Sequence, residues 1–352
     1  MENEQSITPE SAAIEAQTPE ALESLEHNLI PSKTIDTGSE HPNSWWIELT
    51  DGESAVEGKL HLAVDGLEKI VVYTPGLPGD SVQRFEKDFV PPLTDAGYSV
   101  FVIRHTGTRT DSQEASTMVN SELRRQQHNP VGLSELSETV SSKRMINEPR
   151  VALNVFGDSE NVSEISLISH SFGSLATGVS LGEYLEERPS DSAKIKKWVS
   201  VAGMTGRMSE EGVIDSDRGF SLDGDVAKLV YQESLPPEKY RAEEFESAIE
   251  GLKNGYHRME KSAEHLKAVS VIAVNNPEDP GVSLATARDL LDITGKGILL
   301  KDETITSEEA KEQGLSSVHN MPNADPINLV RILELSSPQS IKEFRLKGKR
   351  KE

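Results

Sequence analysis

Short apolar runs separated by polar, turn-forming residues recur along the chain, and they differ in whether they alternate. Residues 58–64 (GKLHLAV) alternate apolar with polar and close on Asp65-Gly66, which predicts a half-buried strand. Residues 69–74 (KIVVYT) form a continuous apolar run bounded by PGLPGD, the pattern of a strand covered on both faces. The same pattern returns at 98–104 (YSVFVIR), 165–169 (ISLIS), 198–202 (WVSVA), 269–274 (VSVIAV) and 297–300 (GILL). A first strand is expected at 44–49, where SWWIEL meets a TDGES turn. Helical patterns occupy 81–96, 172 to about 187, and 326–335. Strands buried on both faces and alternating with helices predict an α/β fold, with a mostly parallel central sheet flanked by helices.

Two stretches break this rhythm. Residues 105–144 are polar, with no strand pattern, and residues 204–267 carry only helical patterns such as DVAKLVYQESL and AEEFESAIEGLKNGYHRMEKSAEHL. Long insertions in a compact α/β domain are often functional, so 204–267 is expected to form a helical cap between core segments 44–203 and 268–340. Residues 1–43 are rich in Glu, Ser, Thr and Pro, with Lys33 the single lysine, and are expected to be a disordered acidic tail. Residues 341–352 (IKEFRLKGKRKE) are expected to be a basic, solvated tail.

Charge and composition narrow the function classes. Across 352 residues, 36 Lys and Arg face 59 Asp and Glu, a formal net charge of -23. That excess weighs against nucleic acid as a partner and against anionic membrane surfaces. No run approaches the ~18 consecutive apolar residues that suggest a membrane span. Cysteine is absent, which excludes disulfides, thiolate nucleophiles and Cys-ligated zinc. The amino terminus lacks the basic start and apolar core of a signal peptide, so a cytoplasmic location is expected. No His-Glu-x-x-His, calcium loop, phosphate loop or dinucleotide Gly-x-Gly-x-x-Gly is present, so neither metal nor cofactor is expected.

The window that carries chemistry is 164–176 (EISLISHSFGSLA). A buried strand runs into a small-x-Ser-x-Gly turn, Ser169 to Gly173, and then into a helix that begins with small residues. This is the context of a nucleophile elbow, in which the flanking residues must be small and the central serine, Ser171, stands at the tip. The first small position is usually glycine and here is Ser169. With this elbow and the ordered landmarks around it, residues 44–335 resemble an α/β-hydrolase.

The resemblance implies further roles. The loop 72–79 (VYTPGLPG) is similar to the His-Gly-x-Pro-Gly loop after the third core strand, with Pro75 in place of the usual histidine. It implies an oxyanion hole made by the backbone N–H groups of Leu77 and Phe172. The loop 275–282 (NNPEDPGV) resembles the one that presents the triad acid, matching best at Asp279, with Glu278 as the alternative. Of nine histidines, only His319 follows the last of these strands and precedes the terminal helix, in SVHNMP, which resembles the family's histidine loop. The implied machinery is nucleophile Ser171, base His319 and acid Asp279, acting on a small-molecule acyl substrate, most simply a carboxylic ester. His170 is expected to point into the structure beside the nucleophile, and His105, which follows a strand's carboxyl end, is not expected to line the pocket. Two alternatives stay open: an inactive member of the family serving as a binding protein, and an acyltransferase.

Overall fold

The computed structural model describes residues 44–76, 82, 85–105, 145–205, 207–210, 212–215, 217, 220–221, 242–312, 318–319 and 326–347. The expected acidic tail at 1–43, the polar stretch 106–144, Leu77 and residues 222–241 of the expected cap lie outside the described residues. In chain order the strands are β1 (Ser44–Thr50), β2 (Ala55–His61), β3 (Lys69–Thr74), β4 (Ser99–Ile103), β5 (Glu164–His170), β6 (Ile195–Val201), β7 (Val213–Asp215), β8 (Phe220–Ser221), β9 (Val271–Asn275), β10 (Gly297–Glu303) and β11 (Ile341–Lys347). Nine of these form one sheet in the order β1-β2-β4-β3-β5-β6-β9-β10-β11. The pairs β1–β2 and β2–β4 are antiparallel, and every pair from β4 to β11 is parallel.

Period-two alternation explains how apolar runs become doubly covered strands. Ile70 and Val72 of β3 face one hydrophobic core, with Leu167, Trp198 and Ala273 from neighbouring strands. Val71 and Tyr73 face the other, with Ile168, Val199 and Ile272. The helices Glu148–Asp158, Phe172–Glu187 and Leu284–Thr294 contribute side chains to the first core. The second is closed by the Phe85–Phe89 π-turn, the helix Val90–Asp95 and the helix Pro326–Glu334. Fully burying one Leu, Val or Phe in such a layer is worth roughly 1.5–3 kcal/mol.

The strand order also creates the crevice. The chain leaves β3 through the helix on the second face and enters β4 on one side, whereas it leaves β5 through the helix Phe172–Glu187 on the first face and enters β6 on the other. The carboxyl ends of β3 and β5 therefore adjoin where the winding direction reverses, the position at which open α/β sheets bind ligands.

Three segments differ from the sequence expectation. The segment 81–96 is broken at its middle, with a π-turn at Phe85–Phe89 giving way to Val90–Asp95, where Pro91 and Pro92 remove backbone donors. Within 204–267 there is a two-stranded hairpin, β7 with β8, and the helix Ala242–Lys261 packs on Phe172–Glu187 through buried Tyr256 and Met259, as part of the sandwich. Residues 341–347, expected in a solvated tail, supply β11, the parallel edge strand beside β10. Its side chains are mostly exposed, including Phe344. A charged sequence suits an edge, because it discourages further pairing. No helix among the described residues is long and apolar enough to cross a membrane.

Candidate active site

Ser171 sits between the last residue of β5 and the first residue of the helix Phe172–Glu187, with φ 52° and ψ −123°. A left-handed φ is strained for a residue with a Cβ and persists only where the surroundings fix it. They do so here. The Ser171 N–H donates to Val201 O at 3.0 Å, and its carbonyl accepts from Ser174 N and Met204 N, each at 3.0 Å. Gly173 shows why the motif needs a glycine: a Cβ there would stand 2.3 Å from the carbonyl oxygens of both Thr74 and Pro75. Ser169, in the usual glycine position, is accommodated by hydrogen bonding. Its Oγ accepts from the buried Trp198 Nε1–H at 2.8 Å and pairs with Ser174 Oγ at 3.0 Å, which in turn accepts from Ser200 Oγ.

The histidine and the acid arrive from the far end of the chain. His319 Nε2 lies 2.9 Å from Ser171 Oγ, and its Nδ1 lies 2.9 Å and 3.1 Å from the two carboxylate oxygens of Asp279. With the carboxylate accepting from Nδ1–H, Nε2 is left to accept the serine hydroxyl proton. Asp279 is fully buried, and its Oδ1 also accepts from the backbone N–H groups of Gly281 (2.7 Å) and Val282 (3.0 Å). These bonds hold the carboxylate where it can meet the imidazole. Such a chain lets the imidazole take a proton from the hydroxyl while the acid orients it and offsets its positive charge.

The other expected residues fall in different places. Glu278, the alternative acid, points away and accepts from Ser307 N at the start of the helix Ser307–Glu312. Leu77 lies outside the described residues, but the loop leading to it reaches the nucleophile. A Cβ on Gly76 would stand 2.8 Å from Ser171 Cβ and 3.0 Å from His170 Nδ1. Phe172 is the first residue of the helix after the elbow and is buried. His170 Nε2 donates to the carbonyl of His319 at 2.6 Å, tying the strand before the nucleophile to the histidine loop. His105 is buried beneath the β3 loop: its Nε2 donates to Pro75 O at 2.9 Å and its Nδ1 lies 2.5 Å from Glu148 Oε2. Glu148 was not apparent as a site residue from sequence, because 43 residues separate it from His105. Among the described residues no group of three or more His, Asp or Glu is placed to hold a metal ion.

A mostly parallel sheet with two antiparallel pairs at one edge, a winding reversal between β3 and β5, and a serine elbow leaving β5 now stand together. The fold is that of the α/β-hydrolases. Solved structures similar to this chain include the dienelactone hydrolase of Anabaena variabilis, with 14% identity and a TM-score of 0.37 over 74% of this chain and 86% of that one. Est1E of Butyrivibrio proteoclasticus is similar at 12% identity and a TM-score of 0.45, over 73% and 87% of the two chains. The 2,6-dihydroxy-pseudo-oxynicotine hydrolase is similar at 12% identity and a TM-score of 0.48, over 82% and 66%. No family model and no curated protein sequence matches the chain.

Proposed function

We propose that this chain is a serine hydrolase of the α/β type that cleaves a carboxylic ester or related acyl bond. The observation that carries the proposal is the continuous relay from Ser171 Oγ through His319 to buried Asp279, with 2.9 Å on both sides of the imidazole. In this reading Ser171 Oγ attacks the substrate carbonyl as its proton passes to His319 Nε2, and Asp279 steadies the resulting imidazolium. The backbone N–H groups of Leu77 and Phe172 receive the negative charge on the carbonyl oxygen. Collapse expels the alcohol, which takes the proton from Nε2 and leaves an acyl-serine. Water then gives a proton to the same nitrogen and attacks the acyl group, and collapse releases the acid as Ser171 Oγ takes that proton back.

The sequence of 204–241, the part of the expected cap that precedes the packed helix Ala242–Lys261, is acidic and only modestly apolar, which favours a small or medium ester over long-chain lipid or polyanionic substrates. A binding protein on this fold would have no need of an assembled relay, so the relay weighs against an inactive form. Acyl transfer differs from hydrolysis only in the acceptor, and product analysis with a competing alcohol separates the two. Hydrolysis of a p-nitrophenyl ester tests the assignment: Ser171→Ala should lower kcat by about 10⁴-fold or more without unfolding the chain. Unchanged turnover in that variant contradicts it.

A further inference from the structure

We infer that His105 and Glu148 are a buried positioning pair that holds the Pro75–Gly76 backbone and Phe172 in place around the nucleophile, an inference that rests on the hydrolase reading above. His105 follows β4 and Glu148 opens the helix Glu148–Asp158, so the two come from separate elements to meet beneath the loop that leaves β3. Both side chains are shut away from solvent, with 0% and 2% of their surface exposed. A buried ionisable pair costs desolvation that an apolar pair of the same volume avoids, so stability alone does not account for it.

The proton count fixes what the pair does. Pro75 has no N–H and no polar side chain, and its carbonyl only accepts, so His105 Nε2 carries the hydrogen in their 2.9 Å bond. The 2.5 Å approach of Nδ1 to Glu148 Oε2 requires a second hydrogen between those atoms. Whether that proton sits on nitrogen or oxygen, Nε2–H faces Pro75, and Glu148 keeps the ring from turning over. The peptide joining Pro75 to Gly76 is planar, so anchoring its carbonyl also fixes the direction of the Gly76 N–H at the opposite edge. Gly76 packs on Ser171 Cβ and leads straight into Leu77.

The same imidazole also touches the residue that follows the nucleophile. Its ring meets the Phe172 ring edge-on, with centroids 5.8 Å apart. One side chain therefore contacts the Pro75 carbonyl before Gly76 and the ring of Phe172, on either side of the nucleophile. Donors act on the transition state only when held within a few tenths of an ångström of their place, and displacement of about 1 Å can cost roughly 10²-fold in rate. Neither His105 nor Glu148 touches the reacting atoms; they act through the loop.

The test uses the intact chain, p-nitrophenyl butyrate as substrate, and urea unfolding to check the fold. His105→Ala is expected to lower kcat about 10–100-fold with KM within about threefold, the split that misplaced oxyanion donors produce. His105→Gln, which restores a side-chain N–H, should recover most of that loss. Glu148→Gln, which keeps the volume and releases the ring, should fall between them. If His105→Ala does not fold, the last two variants carry the test by the same kcat and KM split. Wild-type kcat in His105→Ala or in Glu148→Gln overturns the proposal, as does an equal loss in His105→Ala and His105→Gln that follows their loss of stability. Wild-type protein with no Ser171-dependent turnover overturns the hydrolase reading itself and this proposal with it, an outcome visible before any His105 variant is made.

Discussion

Ser44–His61–Glu86 and Ser171–His319–Asp279 each line up a hydroxyl, an imidazole and a carboxylate in hydrogen-bonding distance, and only the second is proposed for chemistry. In the first, Ser44 Oγ lies 2.7 Å from His61 Nδ1, and His61 Nε2 lies 3.2 Å from Glu86 Oε1. Its carboxylate, however, is already engaged by cations: Arg104 Nη2 at 2.9 Å and Lys59 Nζ at 3.7 Å from Glu86 Oε2. Burial pushes the Glu86 carboxyl up, but Arg104, helped by His61 and Lys59, more than reverses this and holds it well below the usual carboxylate range. A charge so compensated has little left to stabilise an imidazolium. Burial also lowers the His61 imidazole below its ordinary 6.5, despite the raising effect of Glu86. Asp279, by contrast, meets His319 and two backbone N–H groups.

Position separates the two arrangements as well. Ser44 lies within a strand, and the register sets His61 opposite Val100, towards the amino ends of the parallel strands. Ser171 leaves the carboxyl end of β5 in a strained conformation, at the crevice made by the winding reversal. A serine–histidine–carboxylate string is thus not a site by itself. What sets Ser171 apart is a nucleophile lifted out of regular structure, placed where the winding of the sheet reverses.

This contrast can be broken at several points. The largest effect should come from the acid: Asp279→Asn is expected to lower kcat by about 10³–10⁴-fold, because the amide favours the wrong imidazole tautomer. Glu278→Gln, at a neighbour that holds a helix start instead, should stay within about threefold of wild type by the same assay. Next is stability. Glu86→Gln leaves Arg104 and Lys59 without their carboxylate and should cost about 3–5 kcal/mol in urea unfolding. Ser44→Ala, in contrast, should leave kcat within about twofold of wild type.

The smallest effect is a pH slope. Because His61 binds its proton less readily folded than unfolded, its contribution to stability is complete above 6.5 and declines as pH falls below that value. The urea midpoint should therefore drop between about pH 7 and pH 5.5, and less steeply in His61→Gln. An identical slope in the two proteins would mean that His61 is not held neutral by its burial.

Sequence and structure agree best where one physical signal dominates. The strand β3 spans the apolar run 69–74, and the helix after the elbow runs from Phe172 to Glu187, because doubly buried strands and a glycine-dependent turn leave local marks. The strand β11 left none: IKEFRLK reads as solvated because an exposed edge strand needs charges more than apolar residues. The choice between Asp279 and its neighbour Glu278 was open to one residue, and backbone N–H groups at 281 and 282 decide which carboxylate turns inward. The pairing of His105 with Glu148 was out of reach, since nothing local in either segment specifies the other.

The most direct test of the central claim is covalent. The intact chain is incubated with a fluorophosphonate, and any adduct is mapped by mass spectrometry, since only a serine activated by a neighbouring base reacts readily. The predicted result is one adduct, on Ser171, retained in Ser44→Ala and lost in Ser171→Ala. No adduct on the folded chain, or an adduct on Ser44 with Ser171 unmodified, would contradict it.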